Sequence, residues 1–173
     1  MVRVALGVGS NRDPVNNISA CLDELLLRFR DLQISSVFES KADGSVSNAP
    51  YLNLVVGLQT DLAPPALAGE LKTIEAKLGR NREQTAIVPI DIDILTYGNR
   101  QGSFDGVSVP RREILTKPWV LWPLSQVAPK EKHPIQNETY AVLWAEFSKT
   151  GPDVHPVNFE WHGRRISRSD RTG

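Results

Sequence analysis

Two stretches of helical periodicity alternate with four short β-rich runs, and that order leaves few architectures open to the chain. Val2 to Val8 is apolar and rich in valine, and it stops at the turn formers Gly9-Ser10-Asn11. Asp13 then stands where an N-cap belongs and Pro14 where the first helical residue belongs. Val15, Ile18, Cys21, Leu22, Leu25, Leu26 and Phe29 follow on one helical face. Leu32 to Phe38 alternates with a period of two and Leu52 to Leu58 is a further β-rich run, with the polar loop Glu39 to Pro50, containing Asp43-Gly44, between them. Pro64-Pro65 opens a second helix through Leu67, Leu71, Ile74 and Leu78, with Gly79 at its C′ position. Ile90 to Tyr97 completes a β-α-β-β-α-β order. That order predicts an α+β, ferredoxin-like sandwich, an antiparallel sheet with both helices packed on one face. Additions follow: a short strand around Phe104 to Val109, the segment Lys117 to Leu124, and a helix over Tyr140 to Phe147. From Ser148 on, the glycine, prolines and charges predict a loose tail with one strand around Val157 to Trp161.

At 173 residues the chain can bury a core without covalent or metal staples. Its single cysteine, Cys21, excludes an internal disulfide and a cysteine zinc site, and its place on the apolar helix face predicts inert packing. The 20 basic and 20 acidic residues cancel, so nothing attracts nucleic acid or an anionic membrane at long range. No stretch approaches the roughly 18 apolar residues of a membrane span, and the start lacks a secretory pattern. The expectation is a cytoplasmic protein with neither a nucleic-acid nor a membrane partner.

Asp91 and Asp93 are the most pointed chemical feature. Two residues apart in a strand, they face one side about 6.5 Å apart along the backbone, while Ile90, Ile92 and Ile94 take the other. Either they mark the wet face of a half-buried strand or they form a divalent-cation site. An all-oxygen site favours magnesium, which accompanies phosphates. Arg80 and Arg82 follow the second helix, where cations complement the macrodipole. The same two arginines lead through a short loop into the aspartate strand, which joins anion clamps to a carboxylate pair as phosphoryl transfer requires. Gly7-Val8-Gly9 lacks the third glycine of a dinucleotide fingerprint and the Lys-Ser/Thr of a P-loop, so a tight strand-to-helix turn is its expected role. Tyr51, Asn53 and Trp119 offer two flat rings and an amide, either as core or as a slot for a planar heterocycle. His133, His155 and His162 have no partner at a recognisable spacing.

Taken in order, VGSN at 8–11, YLNLVVGLQT at 51–60, EAKLGRNR at 75–82, DIDILTYG at 91–98, Pro110 and WVLWPLSQVAP at 119–129 resemble the 6-hydroxymethyl-7,8-dihydropterin pyrophosphokinase family. The resemblance covers about residues 2–135 and implies transfer of pyrophosphate from ATP to the pterin hydroxymethyl group; with the change in composition at Ser148, residues 1–147 are expected as the catalytic domain and 148–173 as an extension or tail, in a monomer. It implies that Asp91 and Asp93 hold two magnesium ions and that Arg80 and Arg82 lie in a loop closing over the triphosphate. Tyr51 and Trp119 would sandwich the pterin, with Asn53 at its edge. Lys72, Glu75, Ser108, Arg111 and Lys117 fall at nucleotide positions. The chain departs from the family at Ala86-Ile87-Val88-Pro89, which stands for Trp-Gly-Pro-Arg, and at Pro110-Arg111, which stands for Pro-His. The SKADGSVSNAP segment replaces the family's pterin loop. These changes leave a second reading, a paralogue that binds pterin or nucleotide with little transfer. RNA-recognition domains share the element order, but Val55-Val56-Gly57-Leu58 carries no stacking aromatics.

Overall fold

The computed structural model describes residues 1–41 and 49–172; the segment Asp43-Gly44 of the polar loop lies outside them. Strand β1 (Val2–Ser10) lies between β4 (Tyr51–Thr60) and β5 (Asp91–Tyr97), antiparallel to both. The sheet continues from β4 to β2 (Gln33–Ile34) and β3 (Phe38–Ser40). This is the ferredoxin-like order, with helices α1 (Pro14–Phe29) and α2 (Pro64–Lys77) as the crossovers. Ile18, Cys21, Leu22 and Leu25 of α1 and Leu67, Leu71 and Ile74 of α2 bury one sheet face with Val4, Leu6, Val8, Leu54, Val56, Ile92 and Ile94.

The strand expected over Leu32 to Phe38 is broken in two. Ser35 interrupts it: its backbone N–H reaches Val55 O at 3.0 Å while its hydroxyl accepts from Val55 N at 2.9 Å. A side chain thus replaces a ladder bond, and the pairing with β4 resumes at Phe38 shifted by one residue. Asp13 also differs from expectation. It is left-handed (φ 42°) and caps no helix N–H; its carboxylate accepts from the Asn16 side-chain amide instead.

The opposite sheet face is covered too, which the element order did not anticipate. After the hairpin β6 (Gly102–Phe104) and β7 (Val107–Val109), helices α3 (Glu113–Thr116), α4 (Pro118–Val127) and α5 (Tyr140–Glu146) pack Ile114, Leu121, Leu124 and Tyr140 on Ala5, Val55 and Leu95. Gly57 permits that approach, since a Cβ there would lie 2.7 Å from Val127 Cγ1. Residues beyond 147 are not the loose tail expected from their composition. Strand β8 (Val154–Pro156) pairs with β3, and the hairpin β9 (Phe159–Trp161) and β10 (Arg164–Ser167) sends Phe159 and Trp161 into the main core. The Trp161 indole donates to Asp23 of α1 at 2.9 Å. Apolar burial overrides the polar composition of this segment. Among the described residues, no helix is long and apolar enough to cross a membrane.

Candidate active site

The site lies on the α4 side of the sheet and is shaped first by two absences of side chain. In the β4-β1-β5 register, Asn53 faces Gly9, which faces Asp91, and Val55 faces Gly7, which faces Asp93. Gly7 and Gly9 sit inside β1 and point the same way, so they form the floor of a trough with Asn53 on one bank and the aspartates on the other. The strand-to-helix turn expected of this Gly-x-Gly is therefore corrected. A Cβ on Gly9 would lie 2.8 Å from Asn53 Oδ1. The Asn53 amide in turn donates to Ser40 Oγ at 3.4 Å.

The trough opens into a cavity of about 480 Å³, lined by Tyr51, Asn53, Val55, Arg80, Trp119 and Val120 among others. A second cavity, about 380 Å³, lies between α2 and the β6-β7 hairpin and is lined by Ala68, Gly69, Lys72, Glu75, Arg82 and Ser108 among others. Asp91, Asp93 and Arg111 line both. All the residues singled out from the sequence thus meet at two adjoining chambers except Lys117, whose ammonium instead sits 5.1 Å from the centre of the Trp119 ring. Arg112, at the start of α3, lines neither chamber.

Burial and the neighbouring Asp91 charge raise the Asp93 carboxyl to about 6, against a partial lowering by Arg111. Arg111 pairs with Asp93 at 3.0 Å and approaches Glu113 at 3.8 Å. The buried Glu75 accepts from Ile92 N–H at 2.8 Å, between the two aspartates in sequence, and from Arg82 at 2.8 Å. Burial pushes Glu75 upward. Arg80 presents the complementary situation: its Nε and Nη1 are buried with no hydrogen-bond partner among the described residues. Donors so placed on a cavity wall await an anion. Tyr51 is raised chiefly by burial, with Asp91 adding and Arg80 opposing.

Among the described residues no group of three His, Cys, Asp or Glu side chains could hold a metal. The donor set of Asp91 and Asp93 suits a hard cation that takes its remaining ligands from phosphate and water. The floor glycines, Ser40 and Glu113 were not anticipated. The glycines had a usable signal, two in a strand at even spacing; Ser40 and Glu113 reach the site only through strand pairing and the α3 turn.

An antiparallel α+β sandwich carrying a carboxylate pair between a chamber walled by Tyr51 and Trp119 and one lined by Lys72, Arg82 and Arg111 beside Glu75 and Asp105 defines a domain suited to a polyphosphate beside a flat ligand. A family model described as 7,8-dihydro-6-hydroxymethylpterin-pyrophosphokinase (HPPK) matches residues 5–129. The 2-amino-4-hydroxy-6-hydroxymethyldihydropteridine pyrophosphokinase of Synechocystis sp. is 33% identical over 156 residues, covering 88% of this chain and 78% of the relative. That of Aquifex aeolicus is 33% identical over 140 residues, covering 80% and 88%. The chain belongs to the 7,8-dihydro-6-hydroxymethylpterin-pyrophosphokinase family. The crystal structure of Plasmodium falciparum wild-type HPPK-DHPS with pteroate shares the fold, with a TM-score of 0.68 at 14% identity over 84% of this chain. The chain spans 42% of the length of that structure.

Proposed function

We propose that this chain transfers pyrophosphate from ATP to the hydroxymethyl group of 6-hydroxymethyl-7,8-dihydropterin in folate biosynthesis, releasing AMP. Beside family membership, the observation that carries this reading is the meeting of two chambers at Asp91, Asp93 and Arg111. One holds the rings of Tyr51 and Trp119 and the other Lys72, Arg82 and Ser108, so an acceptor in the first and a triphosphate in the second meet at the shared carboxylates and Arg111.

In this reading Tyr51 and Trp119 hold the pterin by its faces and Asn53 hydrogen-bonds its edge, which aims the hydroxymethyl group over the glycine floor. The triphosphate lies in the second chamber along Lys72, Ser108 and Arg82, while Lys117, over the Trp119 ring, stands beside the first chamber. The pterin hydroxyl oxygen bonds to the β-phosphorus, the bond from that phosphorus to the oxygen bridging the α-phosphate breaks, AMP leaves with that oxygen, and the hydroxyl proton passes to solvent. Arg80, Arg82 and Arg111 supply fixed positive charge where negative charge develops. Two magnesium ions, held by Asp91 and Asp93, would neutralise the triphosphate. Glu75 anchors Ile92 and so the strand bearing both aspartates. The working unit is a cytoplasmic monomer, catalytic over residues 1–147, with 148–173 as an extension.

Incubation with ATP, magnesium and 6-hydroxymethyl-7,8-dihydropterin should produce AMP and the pterin diphosphate in equal amounts. Absence of AMP above background, with pterin binding retained, would refute transfer. Asp93→Asn should lower kcat by at least about 100-fold. Its apo form should be no less stable than wild type at pH 7. The sign follows from the raised carboxyl: an unfolded aspartate loses its proton near 3.8 and the folded one near 6, so ionisation weakens the apo fold as pH rises across that interval. Thermal melts at pH 5 and 7 check this.

A further inference from the structure

The residue that follows β1, Asn11, is buried and makes no direct contribution to either chamber. Among the described residues, its hydrogen bonds go to the segment just before the aspartates. Its backbone N–H donates to Val88 O at 2.9 Å, its side-chain amide donates to Ala86 O at 2.9 Å, and its side-chain carbonyl accepts from Val88 N–H at 2.7 Å. Continuing the register that pairs Gly9 with Asp91 would set Asn11 against Pro89, which has no N–H to give. The pairing therefore slips by one residue to Val88, and the asparagine side chain completes it. Residues 81–87 are exposed and 88–90 buried, so the three bonds lie at the point where the loop carrying Arg82 enters the sheet. From Val88 only Pro89, with its fixed φ, and the fully buried Ile90 separate the clamp from Asp91.

We propose that Asn11 is a positioning residue for pyrophosphoryl transfer: it pins the root of the arginine loop and thereby sets Asp91 against the triphosphate. The proposal rests on the function given above, through the role of Asp91. A carboxylate displaced by about 1 Å costs on the order of 100-fold in rate. The test compares wild type, Asn11→Ala and Asn11→Asp. Hydrogen exchange of the Val88 amide, kcat, and the separate affinities for magnesium-ATP and for the pterin are measured where each variant is folded by circular dichroism. Asn11→Ala should deprotect Val88, lower kcat by roughly 10- to 100-fold and weaken magnesium-ATP, while pterin affinity, set by the far bank of the trough, stays within about 2-fold. Asn11→Asp keeps the acceptor for Val88 and should keep that amide protected, with kcat between the other two.

Wild-type kcat in Asn11→Ala despite a deprotected Val88, or equal losses of nucleotide and pterin affinity, overturns the positioning role and leaves the proposed function standing. So does a loss of activity that merely follows the loss of folded protein. A wild-type enzyme without turnover would sink both readings together.

Discussion

Gly9 illustrates how one missing methyl group makes a site. Its hydrogen faces Asn53 across the β1-β4 ladder, and an added Cβ would meet the Asn53 carbonyl oxygen at 2.8 Å, closer than real contacts allow. Gly9→Ala should therefore leave the fold intact, because an extended strand accepts alanine, while pushing Asn53 off its hydrogen bond to Ser40. The expected outcome is a rise of about 10-fold or more in KM for the pterin, with KM for ATP nearly unchanged. Steady-state kinetics with each substrate varied in turn checks it; equal rises in both constants would mean the sheet itself had shifted. Gly7 is more tolerant, since its Cβ would meet the flexible end of Leu95 at 3.3 Å.

The junction of α1 and α2 with the sheet carries its own electrostatic signature. Cys21 of α1 is fully buried, and desolvation, reinforced by Glu75 and Glu24, pushes its thiol up to about 12 from 9.0. Between those values the unfolded chain has lost the thiol proton while the folded chain keeps it. The unfolded state then binds fewer protons, so stability falls as pH rises from about 9. Cys21→Ala removes this loss. The stability gap between wild type and Cys21→Ala should narrow by roughly 2 kcal/mol between pH 8 and pH 10.5 in urea titrations. A gap constant over that range would show that the thiol is not held in the apolar layer. Beside it, Glu24 joins Lys77 of α2 at 2.5 Å and Arg28 of its own helix at 2.6 Å, which ties the two helices along their solvent edge.

On the scale of the whole molecule, the C-terminal extension completes the fold. Removing residues 148–173 would strip β8 from the edge of β3, the strand that leads into Ser40 and Lys41 at the mouth of the first chamber, and would take Phe159 and Trp161 out of the core. Losing a buried aromatic side chain costs about 3–5 kcal/mol, and two are lost here. A chain ending at 147 should melt well below the full chain, by 10 °C or more given about 2–4 °C per kcal/mol at this size. Calorimetry of the two chains measures the difference. Equal melting temperatures would mean that this segment contributes no net packing.

Much of this protein was legible in the chain itself because periodicity and spacing are local quantities. The alternation of strands and helices, the shared face of Asp91 and Asp93, and the burial of Cys21 all follow from repeats of two or 3.6 residues. What only the tertiary structure decided depends on partners distant in sequence. Gly7 and Gly9 became a pocket floor because β4 and β5 flank β1. Arg111 reached Asp93 through the chain's return after the β6-β7 hairpin, and the polar-looking end after Ser148 became ordered because Phe159 and Trp161 found apolar surface on α1 and the sheet. Composition records how many apolar groups a segment has, whereas folding free energy depends on which surface they can cover, and that surface exists only once the sheet has formed.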